Sequence, residues 1–474
     1  MAYDVELCFT PAYELAAAIR AKRVSPVEVM EAVLGRLETV NPKLNAFVVV
    51  DAEGALAAAR EAEAAVVRGE DLGPLHGLPV SVKDLVPVAG MPTRYGSRTS
   101  PAEPTAEDGL VPARLRRAGA IIFGKTTTPE YGCKGFTDSP LTGVTHNPWD
   151  LSRSSGGSSG GAGAAVAAGI GPLAIGTDGG GSIRIPSACC GIFGLKATRG
   201  RVPNYPSPNA WSTFSHTGPM VRAVRDAALL LGVIAGPDAR DPLGAQLPVE
   251  DWESQLGGDL KGMRVAWSPD LGYASLHPEV RRLTTAAAEV FTALGAAVEP
   301  ANPGFASPHD IFMTLYTVNY AARLGPLLPE HRDEMDPYLV GMIERGQRTS
   351  AADYYRVQMR QTALYLAMER FLEGYDLLLT PLLGHPALPY DFDITKGLTV
   401  DGVHFPEFRE GYYPFTFPFN LTGHPAAAVP CGFTTDGLPV SLQIVGHNYA
   451  EGQVLKAAAA FEAARPWAQR RPAL

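Results

Sequence analysis

Residues 153–163 read Arg-Ser-Ser-Gly-Gly-Ser-Ser-Gly-Gly-Ala-Gly. Glycine and serine at this density normally make a flexible tether. Here the segment sits among apolar stretches, and "PLAIGT" (172–177) behind it has the pattern of a buried strand. A loose loop within a core would strand its backbone polar groups away from water. The segment must therefore be ordered, with glycines that admit close backbone approach or positive φ. A second glycine-rich turn, "GTDGGGSIRIP" (176–186), leaves the end of that same strand. Two ordered glycine turns around one buried strand have the character of a site.

The patterns around them alternate. "SPVE" (25–28) is a capping box with proline at the first helical position, and apolar residues follow at helical spacing. Strand patterns occupy 46–50, 77–86, "AIIFGKT", 172–177, "MRVAWSP", "YDLLLTP" and "LPVSLQIVG". Helical patterns occupy 55–68, 111–118, 162–168, 278–294, 350–372 and 452–464. Such alternation argues for α/β layers around a mostly parallel sheet. The proline- and aromatic-rich stretches 205–219 and 381–419 read as long irregular loops, and no linker separates two domains.

Composition removes several functions. The chain has 474 residues, 46% of them hydrophobic, which is ample for a large core. It carries a net charge of −9 with no long basic run, so nucleic acid is not an expected partner. Five cysteines (an odd number) lack any CxxC pair, which argues for free thiols and against a zinc cluster or a disulfide framework. No signal peptide pattern opens the sequence. Two uncharged runs, 154–177 and 411–435, are long enough to span a bilayer. The first has eight glycines and four serines and the second is broken by four prolines, so neither is read as a span. The expectation is a cytoplasmic protein with no membrane, metal or cofactor.

The turn after the strand places several backbone N–H groups of Asp178, Gly179, Gly180 and Gly181 around one point, with Ser182 beside them. Such a nest binds an anion or the oxyanion of a tetrahedral intermediate. Neither GxGxxG nor GxxxxGK[ST] is present. A serine nucleophile needs a base. "GSSGG" formally matches the G-x-S-x-G elbow, with Ser159 as nucleophile. No serine lies three positions before any lysine, so a Ser-x-x-Lys pair is out. A lysine supplied from elsewhere is the third option. Among nine lysines, Lys83 lies in "PVSVKDLV", bracketed by Val80, Val82, Leu85 and Val86. Burial there would favour the neutral amine.

Together, "GLPVSVKDL", "GGSSGG" and "GTDGGGSIRIPSACCGIFGLKATRGRVP" resemble the amidase signature family. So do "SPVEVMEAVLGRLETVNPKLNAFV", "GKTTTPEYG", "NPWD", "GPMVRAVRDAALLL", "PFNLTGHPAAAVPCGF" and "GLPVSLQIVG", so the resemblance covers nearly the whole chain. It implies a single α/β domain over 1–474, with a mixed central sheet covered by helices on both faces. The signature region would be 77–200, and substrate-pocket loops 205–219 and 305–420. It implies Lys83 as the catalytic lysine, Ser158 as the bridging serine after a cis peptide bond, and Ser182 as the nucleophile. The backbone N–H groups of Gly179, Gly180, Gly181 and Ser182 would form the oxyanion hole. Asp178, Arg184 and Ser159 would brace the loop. Tyr131, Gly132 and Cys133 would wall the acyl side of the pocket, and Phe415 and Phe417 would close the leaving-group side. His216 is either structural or pocket-lining. Ser155, Thr127 and Ala197 depart from residues the family often has, and none falls on the triad.

The implied activity is hydrolysis of small amides, aryl acylamides or carbamates through an acyl-enzyme, with an ester as a further substrate of the same triad. The alternative is the A-type subunit of a tRNA-dependent amidotransferase, working with a partner chain. Gly179 and "IRIP" depart from that subunit's pattern and favour a stand-alone amidase. A small amide is the expected partner, and a homodimer remains open.

Overall fold

The computed structural model describes residues 3–474. Eleven strands form one central sheet. In chain order they are β1 (Phe47–Val50), β2 (Pro79–Lys83), β3 (Ile121–Thr126), β4 (Leu173–Asp178), β5 (Phe193–Lys196) and β6 (His216–Val221). They continue as β7 (Arg264–Trp267), β8 (Ala297–Pro300), β9 (Leu377–Pro381), β10 (Ala426–Phe433) and β11 (Pro439–Gly446). Across the sheet the order is β1-β3-β2-β4-β6-β5-β10-β11-β9-β7-β8.

The sheet is mixed. β2 runs parallel to both β3 and β4, and β7 runs parallel to β8 and β9. The pairs formed by β6, β5, β10 and β11 are antiparallel. The mostly parallel sheet suggested by the alternation is therefore corrected. Strand β6 shows why. It begins inside the stretch 205–219, which has an irregular pattern because Pro219 is unusual within a strand. It nevertheless pairs along its whole length with β4, from Asp178 opposite His216 to Leu173 opposite Val221.

Alternate residues of one strand enter different cores, as the two-residue period requires. Leu173 and Ile175 join one hydrophobic cluster, and Ala174 joins another. Leu377 and Leu379 likewise separate from Leu378. Both faces are thus covered, and near-continuous apolar runs such as β2 are buried at every position.

The glycine-serine segment runs into the helix Gly160–Ala167, every residue of which is buried. A Cβ at Gly161 would lie 2.5 Å from the Thr127 N and the Ala46 O, so no larger residue fits. Close packing against backbone is what this composition serves. Stretch 305–420, expected to carry pocket loops on either side of the helical pattern 350–372, contains that helix as Ala351–Leu372 and, beyond the expectation, the helices His309–Leu324 and Pro337–Gln347 and a small hairpin. No helix among the described residues is long and apolar enough to cross a membrane. All five cysteines are free.

Candidate active site

The parallel neighbours β3, β2 and β4 deliver their C-terminal ends to one edge of the sheet. That edge is where open α/β sheets place their ligands. Lys83 is the last residue of β2, and Thr177 and Asp178 end β4. Lys83 is fully buried, and its Nζ donates to Ser158 Oγ at 2.7 Å and to Thr177 Oγ1 at 3.0 Å. Burial drives its pKa well below the usual lysine range, with Asp178 opposing the shift only in part.

Lys125 and Lys196 are equally buried but differently engaged. Lys125 pairs with Asp84 at 2.9 Å, and Lys196 donates to the carbonyl oxygens of His424 and Ala197. Of these three lysines, only Lys83 meets a serine hydroxyl.

Ser158 follows a cis Gly157–Ser158 peptide bond. Its neighbour Ser159 is buried, and its Oγ is held at Thr177, donating to the carbonyl at 3.2 Å and accepting from the amide at 3.3 Å. The Ser159 amide donates to the Ser182 carbonyl at 3.2 Å, which ties the two glycine turns together. A hydroxyl locked onto a strand backbone in this way is a poor elbow nucleophile. Ser182 is partly exposed, and its hydroxyl makes no side-chain hydrogen bond among the described residues.

Behind the second turn lies a buried ion pair. Arg184 Nε and Nη2 donate to the two Asp178 carboxylate oxygens at 3.0 and 3.1 Å. Arg184 also donates to the Thr416 carbonyl, to Gln443 Oε1 and to Asn420 Oδ1. Burial works to raise the Asp178 pKa, but Arg184 and Asn420 outweigh it and hold the carboxyl well below the usual range. The same carboxylate accepts the N–H of Gly181 at 2.7 Å and of Ile183 at 3.2 Å. Gly181 is therefore committed to its own loop, which corrects its placement among the oxyanion donors. The N–H groups of Gly179, Gly180 and Ser182 donate to no protein acceptor among the described residues.

A cavity of about 570 Å³ opens over this loop. Ser158, Thr177, Gly179 and Ser182 form its floor, with Tyr131 and Gly132 alongside. One face of the helix His309–Leu324 supplies a wall of Tyr316, Asn319, Tyr320 and Arg323. Tyr316 donates to the Gly132 carbonyl at 3.0 Å and Tyr320 to the Tyr131 carbonyl at 3.1 Å. Gly132 has φ +73°, and a Cβ there would stand 3.2 Å from Ser158 Oγ.

Cys133 and Phe415, expected in the pocket, lie elsewhere, and His216 does not line it. The Cys133 side chain is buried beside the wall, and its carbonyl accepts from Arg409 at 2.7 Å. Phe415 is fully buried in the core between the helix Ala351–Leu372 and the sheet, with Met368, Leu378 and Val445. His216 is buried, with Nδ1 at the carbonyls of Phe214 (2.7 Å) and Asp178 (3.1 Å). Two carbonyl partners make Nδ1 the protonated nitrogen, and burial followed by Lys196 lowers its pKa to about 3. It is a neutral structural residue.

Thr177, Thr416, Asn420, Gln443, Tyr316 and Tyr320 are parts of the site that the sequence alone does not single out. Gln443 carries a signal: a long amide inside an otherwise apolar strand pattern needs a buried polar partner. No group of three or more metal-ligating side chains occurs among the described residues.

A family model described as Amidase matches residues 28–455. An acylamidase of Rhodococcus erythropolis is 40% identical over 99% of this chain and 98% of its own length. The A-type subunit of the glutamyl-tRNA(Gln) amidotransferase of Chloroflexus aggregans is 35% identical over 96% of each chain. The crystal structure of a bacterial aryl acylamidase of the amidase signature family superposes with a TM-score of 0.92 at 33% identity, covering 97% of both chains. The chain therefore belongs to the amidase family and is an amidase signature enzyme.

Proposed function

We propose that the chain hydrolyses the C–N bond of small amides, aryl acylamides foremost, through an acyl-enzyme on Ser182. The observation that carries this reading is the 2.7 Å bond from fully buried Lys83 to Ser158, at the floor of a cavity that also holds Ser182. Neutral Lys83 takes the Ser158 proton while Ser158 takes the Ser182 proton. Ser182 Oγ then attacks the amide carbonyl. The free N–H groups of Gly179, Gly180 and Ser182 stabilise the oxyanion. The protons return along the same path to the leaving amine as the C–N bond breaks. Water, activated by the same relay, then releases the acid. The Ser158–Ser182 link is not formed in this structure, and such links commonly tighten only around bound substrate. Tyr95, Tyr131, Phe214, Tyr316 and Tyr320 make an aromatic wall suited to an aryl amide. The acylamidase and aryl acylamidase relatives support the same substrate class.

The test is hydrolysis of 4-nitroacetanilide by the protein alone, followed from acid to alkaline pH. Only the neutral amine accepts a proton, and burial lowers the Lys83 pKa. Activity is therefore full above that lowered pKa and falls as pH drops through it, about tenfold per pH unit on the acid limb. Carbamates and esters belong in the same panel. Inactivity on all of them without tRNA and a partner chain would favour the amidotransferase reading.

A further inference from the structure

The charge pattern around the cavity is one-sided. The protein carries a net charge of −9, yet no Asp or Glu lines the cavity over Ser182. Its single charged lining residue is Arg323. A second cavity of about 580 Å³ adjoins the first, and both are lined by Phe214, Asn319 and Arg323. Its charged lining residues are Arg323 and Arg199, again without an acid. A recess with one sign of charge concentrates ligands of the other sign.

Arg323 is also unengaged. Several other arginines of this region are paired: Arg345 with Glu407 at 2.8 Å, Arg360 with Asp310 at 2.5 Å, and Arg332 with Glu344 at 2.6 Å. Arg323 forms no ion pair or side-chain hydrogen bond among the described residues, and neither does Arg199. Positions 316, 319, 320 and 323 follow the helical i, i+3, i+4, i+7 spacing, so the same face that buttresses Gly132 and Tyr131 carries Asn319 and Arg323 where the two cavities adjoin. The tyrosines lock that face in place, so the helix holds Arg323 in the lining of the cavity that also contains Ser182.

We propose that Arg323, assisted by Asn319, binds a carboxylate on the part of the substrate remote from the scissile amide, so that anionic aryl amides are the preferred substrates. This deepens the amidase reading and rests on it for the position of the scissile bond. A guanidinium and a carboxylate form the strong, charge-assisted kind of hydrogen bond, and a planar fork favours two at once.

The test compares 4-acetamidobenzoate with 4-nitroacetanilide, which differ only in a carboxylate or a nitro group at the remote end. Binding of each is measured by calorimetry to the Ser182→Ala protein, with and without Arg323→Gln. The carboxylate ligand binds more tightly, and Arg323→Gln reduces the ratio of the two affinities by about 10- to 100-fold. Arg323→Lys keeps part of the preference, and added salt weakens it. In the enzyme with Ser182 intact, the loss appears in KM rather than kcat. An affinity ratio unchanged by Arg323→Gln, or a preference for the nitro compound, overturns the proposal. Because binding is read without turnover, failure of the Ser182 chemistry would show separately, as hydrolysis surviving Ser182→Ala.

Discussion

Replacing Lys83 with methionine lowers kcat/KM on 4-nitroacetanilide by about 10⁴-fold or more, because members of a nucleophile–base unit fail together when one is removed. The folded protein survives the change. Lys83 is fully buried and its pKa is driven down by that burial, so the substitution removes no stabilising charge. Methionine fills most of the volume, and the lost partners are the hydroxyls of Ser158 and Thr177. Losing two such bonds costs about 1–3 kcal/mol. Thermal unfolding of the variant should therefore stay cooperative while turnover disappears. A loss of tenfold or less in kcat/KM would remove Lys83 from the relay.

Asp178→Asn has the largest expected effect on stability. The carboxylate accepts from Arg184 twice, from Asn420, and from the amides of Gly181 and Ile183. Asparagine keeps the shape but leaves the Arg184 guanidinium fully buried without its anion. Breaking a buried pair from one side costs about 3–5 kcal/mol, read as a fall in the urea midpoint at neutral pH. Removing both charges in Asp178→Asn with Arg184→Met should recover part of that loss. The pH dependence has a definite sign. The folded Asp178 carboxyl is held below its unfolded value, so its contribution is complete above the unfolded carboxylate range and is lost as pH falls toward the folded value. Asp178→Asn accordingly flattens the acid limb of stability. Turnover should fall too, because the same carboxylate, through Gly181 and Ile183, holds the loop that bears the proposed oxyanion donors.

The parts of the site legible in the sequence are those whose chemistry is local. A lysine amid valines and two ordered glycine turns mark the region of a site, and the resemblance to the amidase signature family carried by those motifs implies Lys83, Ser158 and Ser182 before any contact is visible. The structure brings Ser158 and Ser182 to one cavity floor, with buried Lys83 bonded to Ser158 from beneath. What escapes depends on distant chain meeting at the sheet edge. Asn420 and Gln443 reach Arg184 from positions 236 and 259 residues away. Tyr316 and Tyr320 lie in a helix within the stretch expected as pocket loops. Gly181 is a reasonable oxyanion donor by position, yet its amide is claimed by Asp178 three residues back. Phe415 reads as a pocket aromatic in a proline-rich stretch, but the short helix Pro418–Thr422 and the sheet enclose it. Strand β6 escapes because Pro219 masks its pattern, although its partner β4 is plain.

In the proposed mechanism Ser182 is the acylated nucleophile and Lys83 activates it. A fluorophosphonate serine probe followed by peptide mass spectrometry tests this directly, in the native protein and in Lys83→Met. The expected result is a single adduct on Ser182 that is lost, or slowed by orders of magnitude, without Lys83. An adduct on Ser159, or labelling of Ser182 at the same rate in Lys83→Met, would contradict it.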